Sequence, residues 1–269
     1  MTAKMRTYSE LANHILDKKT DYFNDKQIIK KIFTINGIDH QETIRIRLTI
    51  IDSYYSTNMS RRYYGIHHIS KKIFDYYNDD QSFIKDLIKF TSDPFQNDHI
   101  IEIFNSPYGI SKLGNPKGKA ISLISKYAYF LTNFRFPIYD SIIFETYPKI
   151  VNKFPEMGLE KDLSTDISGF VRIINRLNSV SGINDFNRLD NLLWLIGKIL
   201  RGNFSLILNE EIYSKIINPL NTNLNIKSAE ADGMIKNYVF DNLDNIKHFI
   251  DHDLFTMISF AKEIETKTI

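Results

Sequence analysis

Apolar residues recur at three- and four-residue intervals over most of this chain, and few stretches alternate with a period of two, so helices are what the sequence can bury. The run FNRLDNLLWLIGKIL, residues 186–200, shows the pattern at its clearest. Asn184, with Asp185 beside it, offers the N-cap, and Gly202 offers the stop. The same periodicity predicts helices over Tyr8–Tyr22, Glu42–Tyr55, Ser60–Tyr77, Gln81–Phe90, His99–Phe104, Lys117–Leu131, Ser141–Lys153, Thr165–Leu177, Asn184–Leu200, Glu210–Ile217 and Lys227–Lys262, the last broken near Asn245. Two segments depart from it. KIFTING (31–37) reads as a short strand, and ETIRIRLTI (42–50) alternates well enough to fit either a strand or a helix. Gly and Pro concentrate between Pro107 and Gly118 and between Pro155 and Gly158, where the main loops are expected. The expectation is an all-α protein, one helical domain over residues 1–269 with two lobes meeting near residues 105–140.

At 269 residues, 43% of them hydrophobic and 25% charged, the chain has enough apolar surface for its own core. It contains no cysteine, which removes thiol nucleophiles, disulfides and thiolate metal sites and fits a reducing compartment. The N-terminal stretch lacks an apolar signal core, and no run of about 18 apolar residues occurs, so neither a signal peptide nor a membrane partner is expected. A cytoplasmic monomer is the reading.

Several chemistries lose their usual signatures. There is no GxxxxGK[ST], no GxGxxG after a strand and no GxSxG, and the seven histidines make no HExxH pair. His252-Asp253 fits half of an HD-type metal site, but the sequence does not single out the upstream histidine that would complete it, and no metal or cofactor is expected.

The net charge of +2 is unevenly spread. Ser111–Lys126 holds four lysines and no acid, and Ser60–Lys72 holds Arg61, Arg62, Lys71 and Lys72, again without an acid. From Ala229 onward, Glu230, Asp232, Asp241, Asp244, Asp251 and Asp253 lean the other way. Such asymmetry suits a protein that lays one face on a polyanion, although solvated lysine-rich helices produce the same counts.

The most informative stretch is SLISKYAYFLTNFRFPIYDS, residues 122–141, where an apolar helix carries Lys126 and then runs through Pro137 into Tyr139-Asp140-Ser141. Ahead of it stand Tyr55-Ser56-Thr57-Asn58-Met59-Ser60-Arg61 and Leu113-Gly114-Asn115-Pro116-Lys117-Gly118-Lys119-Ala120. The order of these segments, over about residues 40–200, resembles that of the helix-hairpin-helix DNA base-excision glycosylases, particularly the 8-oxoguanine glycosylase branch. The chain departs from that pattern in having Pro116 and Lys117 where the family has glycines around an apolar residue, and two residues between Pro137 and Asp140. The resemblance implies two helical lobes with a cleft between them, double-stranded DNA as partner, and excision of a base.

Breaking the bond between a base and deoxyribose builds positive charge on the sugar, which a fixed carboxylate stabilises. Asp140, just ahead of the predicted helix Ser141–Lys153, fits that role, and equally fits a plain N-cap. Backbone cleavage in addition requires a lysine amine to attack the sugar carbon. Lys119 holds the hairpin position that the resemblance indicates. Lys126 lies in the more apolar surroundings, where it fits a nucleophile or an ion-pair partner of Asp140. Asn58, Arg61 and Arg62 occupy the place where the resemblance puts residues that enter the duplex, and Lys117, Tyr139 and Ser141 complete the expected DNA contacts. The expectation is a DNA glycosylase acting on a damaged or modified base, including a phage hypermodified one. The alternative is a non-catalytic helical module that binds nucleic acid, in a phage-response setting.

Overall fold

In the computed structural model the chain is described over residues 2–19, 21–34, 40–220 and 228–266, and among these residues the regular elements are all helical. In chain order the α-helices are α1 (Thr2–Lys19), α2 (Asp21–Ile32), α3 (His40–Tyr55), α4 (Gly65–Tyr76), α5 (Asp80–Ser92), α6 (Asp98–Asn105), α7 (Ile121–Leu131), α8 (Ser141–Lys153), α9 (Ile167–Val180), α10 (Phe186–Arg201), α11 (Glu210–Ile217), α12 (Ser228–Asp241), α13 (Leu243–Ile246) and α14 (His252–Thr266). Short polar side chains start several of them. Asp79, Asn97, Asp185 and Asn209 accept from the amides of Ser82, Ile100, Arg188 and Ile212, satisfying donors that have no partner within the helix.

Several boundaries differ from the sequence reading, each for a local reason. ETIRIRLTI is helical, because Ile44, Leu48 and Ile51 bury one face of α3 completely. Of KIFTING, Ile32 closes α2 and Phe33-Thr34 form a turn, while residues 35–37 lie outside the described residues, as does Lys227. The segment Tyr8–Tyr22 is not one helix: α1 ends at Lys19 and Tyr22 belongs to α2. The cap of α10 is Asp185, and Asn184 takes a left-handed conformation ahead of it. The final segment breaks into three pieces, with α13 ending at Ile246 and Asp251 accepting from the Leu254 amide to start α14.

The two largest differences fall at the expected site. The helix predicted from Ser60 begins at Gly65: Arg62 N donates to Met59 O and Gly65 N to Arg62 O in two separate turns, and the left-handed Tyr64 just ahead of α4 cannot be part of a continuous helix. The helix predicted from Lys117 begins at Ile121. Residues 108–118 form an antiparallel hairpin instead, with Tyr108 N donating to Gly118 O, Lys117 N to Gly109 O and Ser111 N to Asn115 O. Lys119 therefore precedes α7 and does not share a helix with Lys126, whereas the predicted helix over Lys117–Leu131 would have held both.

The chain divides into two compact units. The first gathers Met1–Asn24, Ser141–Asp162 and Asn178–Ile269. Its centre is α10, packed by α1, α8 and α14. Gly197 is what lets α10 approach α8, for a Cβ there would lie 2.3 Å from Ile142 Cγ2 and 2.8 Å from Thr146 Oγ1. Tyr8 of α1 stacks on Phe260 of α14 with ring centroids 3.8 Å apart.

The second unit comprises Asp25–Asp140 and Leu163–Leu177. Here α7 packs against α3, α5 and α6, and Leu123 to Phe130 of α7 are buried without interruption. Phe136 follows α7 and stacks with Phe104 at 5.6 Å and Phe90 at 6.3 Å, anchoring the chain just before Pro137. Aromatic burial of this kind contributes both area and a preferred ring geometry.

Candidate active site

An α7 that is apolar all round carries one polar strip. Ser122, Ser125 and Lys126 stand at i, i+3 and i+4, and so share one face of the helix. The segment after Phe136 is pinned against that strip. The Tyr139 amide donates to Ser125 Oγ at 2.9 Å, and Lys126 Nζ donates to Asp140 Oδ2 at 2.7 Å and to Ser122 Oγ at 2.7 Å. The Tyr55 ring of α3 covers the same ammonium, its centroid 5.3 Å from Nζ.

The two members of the pair differ in access to water: the Lys126 side chain is 2% exposed and that of Asp140 29% exposed. A buried ammonium costs several kcal/mol unless it is paired and hydrogen-bonded. Here a carboxylate, a hydroxyl and an aromatic face supply that compensation together. The outcome is a carboxylate fixed by a buried cation and itself partly exposed, at the residue just ahead of α8.

The remaining predicted residues fall into three places. Lys119 is exposed and donates to Asn105 Oδ1 at 2.8 Å, so it belongs to the hairpin base rather than to the pair. Tyr139 packs its ring on Phe170 at 4.9 Å and donates its hydroxyl to Thr165 O at 3.1 Å. Burial, reinforced by the Asp166 charge, raises its phenol above the ordinary value. Ser141 opens α8 in the other unit, where its Oγ accepts from Arg201 Nη2 at 3.2 Å while Glu145 holds the same guanidinium at 2.6 Å.

Asn58, Arg61 and Arg62 lie on the loop between α3 and α4, built on Asp52. This carboxylate accepts from the Thr57 hydroxyl and from the Met59 and Ser60 amides. Burial alone raises its pKa, but those hydrogen bonds outweigh burial and hold it below the ordinary carboxylate value. Asn58 is exposed, left-handed, and spends its side-chain amide on Ser56 O at 2.8 Å. Arg61 is exposed. Arg62 reaches across to the hairpin, its Nη1 donating to Lys119 O at 3.3 Å and Lys117 O at 3.4 Å. Gly118 makes that reach possible: its φ is +66° and a Cβ there would lie 2.4 Å from the Arg62 Nη1. Lys117 itself is exposed.

Sequence reasoning missed Ser122, Ser125 and Asp52, and the place of Tyr55 over Lys126. The helical spacing of the two serines with Lys126 was a readable signal, since three polar residues on one face of an apolar helix need partners. Nothing local singles out Asp52 or Tyr55. At the other end of the chain, Asp253 meets His14 Nδ1 at 2.6 Å. Among the described residues no group of three or more His, Asp or Glu gathers to hold a metal ion. No described helix is long and apolar enough to cross a membrane. Comparison of the chain with family models, with curated proteins and with solved structures found no match.

Proposed function

We propose that this chain is a DNA glycosylase of the helix-hairpin-helix kind, excising a damaged or modified base from double-stranded DNA with Asp140 as its catalytic carboxylate. The observation that carries the reading is the Lys126–Asp140 pair: a carboxylate fixed by a buried ammonium at 2.7 Å and still 29% exposed. When the bond from the sugar to the base breaks, the electron pair leaves on the base and positive charge develops on the sugar. A carboxylate already oriented stabilises that charge without reorganising, and accepts a proton from the water that then attacks.

Lys126, fully engaged with Asp140 and Ser122, acts in this scheme as a positioning residue. Lys119 on the exposed hairpin is the amine at hand for a Schiff-base step. Asn58, Arg61, Arg62, Lys117, Tyr139 and Ser141 are the proposed DNA contacts, all but Ser141 drawn from segments without acidic residues between Ile103 and Tyr139 and between Ser53 and Phe74.

One observation also supports a second reading. Lys126 and Asp140 neutralise each other, which is what a purely structural pin needs; the chain is then a non-catalytic DNA-binding module.

Abasic-site formation separates the two. Wild type and Asp140→Asn are incubated with plain, oxidised and phage hypermodified duplex DNA, and aldehydic sites are counted before and after alkali. Sites made by wild type alone support the enzyme, and a borohydride-trapped adduct lost in Lys119→Ala identifies the amine. Binding with a steep salt dependence but no sites on any DNA sinks the enzyme in favour of the binding module.

A further inference from the structure

Within the second unit, α3, α5 and α7 meet around a group of polar side chains that take no part in the Lys126–Asp140 site. His40 and Arg47 stand seven residues apart on α3, about two turns along one face, and Asp80 is the first residue of α5. The Arg47 side chain is 2% exposed, yet it is held firmly. Its Nη1 donates to Asp80 Oδ2 at 2.7 Å and its Nη2 to Phe33 O at 2.9 Å, while the Phe33 ring lies 4.9 Å from the guanidinium carbon. His40 Nδ1 lies 3.9 Å from Asp80 Oδ1. Tyr127 of α7, which is fully buried, closes the group, its ring packed on Phe33 at 5.4 Å and on Phe83 at 6.3 Å.

Those bonds use only part of what the four side chains offer. Arg47 Nε, Tyr127 Oη, Asp80 Oδ1 and His40 Nε2 are all buried, and no described protein group forms a hydrogen bond with any of them. They sense one another nonetheless. Burial pushes the Tyr127 phenol up, the Asp80 charge adds to that and Arg47 opposes it, but no hydrogen bond joins the hydroxyl to either. A buried polar atom without a partner has given up the water it bonded in the unfolded chain, and cores rarely tolerate that even singly. Four such atoms on three packed helices require a common partner.

The signs of the unmet atoms say what that partner is. Arg47 Nε can only donate and an ionised Asp80 Oδ1 can only accept, whereas Tyr127 Oη and the His40 nitrogen can do either. A cation offers Arg47 Nε no acceptor and is repelled by the guanidinium; an anion offers Asp80 no donor and is repelled by the carboxylate. Nor do three His, Asp or Glu side chains gather for a metal among the described residues. What fits is a neutral molecule that donates and accepts at once and is small enough for a close-packed joint, which is water.

We propose that this joint is a built water site, in which ordered water held by Arg47 Nε, Tyr127 Oη, Asp80 Oδ1 and His40 Nε2 completes the bonding between α3, α5 and α7. A buried water makes about three hydrogen bonds, so four atoms call for roughly one or two molecules. The water extends the Arg47–Asp80 pair to Tyr127 and thereby fixes the rotation of α7, the helix on which the next residue back is Lys126. The inference does not depend on what the protein binds or cleaves.

Tyr127→Phe tests it through the sign of its effect, because it deletes the hydroxyl and keeps the ring contacts with Phe33 and Phe83. A hydroxyl bonded to water is a favourable group, so the variant is expected to lower the ratio of folded to unfolded protein about fivefold in urea titrations of the full chain. A dry hydroxyl is an unfavourable group, and its removal leaves stability unchanged or raises it. A crystal structure of the wild-type protein supplies the second reading: water is expected about 2.7–3.2 Å from Tyr127 Oη and from at least one of Arg47 Nε and Asp80 Oδ1. The proposal is overturned by a Tyr127→Phe variant as stable as wild type or more so, by a wild-type structure in which the Tyr127 hydroxyl bonds a protein group directly, and by one in which an ion occupies the joint.

Discussion

The unequal burial of Lys126 and Asp140 makes a quantitative prediction about which half of the pair is harder to lose. Asp140→Asn keeps the shape of the site but removes the negative charge, leaving an ammonium whose side chain is 2% exposed with Ser122 and the Tyr55 ring as its remaining support. Stranding a buried charge in this way costs about 3 kcal/mol. Lys126→Met fills the same space and leaves a carboxylate that is 29% exposed, which water can solvate. That change resembles loss of a partly exposed pair and costs about 1 kcal/mol. The double variant Lys126→Met/Asp140→Asn contains no charge at all and is expected to be more stable than Asp140→Asn alone. Urea titration followed by far-UV circular dichroism reads all three, and thermal melts give drops of about 6–12 °C for Asp140→Asn and about 2–4 °C for Lys126→Met. If Lys126→Met proves the more damaging single change, or the double variant is less stable than Asp140→Asn, the buried ammonium is not what the carboxylate compensates.

Three further outcomes follow from other parts of the structure. The Asp52 carboxyl has a lowered folded pKa, so its contribution is present above the unfolded value and is lost as pH falls through the folded one. Asp52→Asn is accordingly less stable than wild type at pH 7, and the difference in melting temperature starts to shrink as pH falls below the ordinary carboxylate value of about 4 and closes only below the lower folded pKa. Gly118 and Gly114 both have positive φ, but only Gly118 is crowded, its Cβ position lying 2.4 Å from Arg62 Nη1 with nothing within 4 Å at Gly114. Either alanine costs about 1–2 kcal/mol of backbone strain, while Gly118→Ala alone displaces Arg62 and weakens duplex binding in a titration. In the other unit, Gly197→Ala overpacks the contact with Ile142 and Thr146 and lowers stability by about 1–3 kcal/mol in the same urea assay.

What the sequence disclosed about the site can be followed residue by residue. Asp140, Lys126, the arginines and the hairpin lysines were legible because a charged residue in an apolar run, or a run without acids, stands out in one dimension. Their grouping was not. Lys119 and Lys126 are seven residues apart and look alike as candidates, yet the hairpin bonds of Tyr108 and Lys117 keep the first out of α7 and at the surface, while the second is buried beneath Asp140. The start of α4 was misplaced for a related reason. Tyr64 takes a left-handed conformation that ends any run from Ser60, held by the bond from Ile110 N of the hairpin to Tyr63 O, and a propensity reading sees only neighbours.

By itself, then, the sequence determined that this chain is helical, where most helices lie, and which residue types are available for chemistry, since those follow from a local period of apolar residues and from composition. Only the tertiary structure decided that Ser122, Ser125 and Lys126 face the Tyr139-Asp140 segment, that Tyr55 covers the ammonium, and that Arg62 bolts the loop to the hairpin. Those are contacts between positions far apart along the chain, and they form only because burying the aromatic core of the second unit brings α3, α7 and the hairpin into one place.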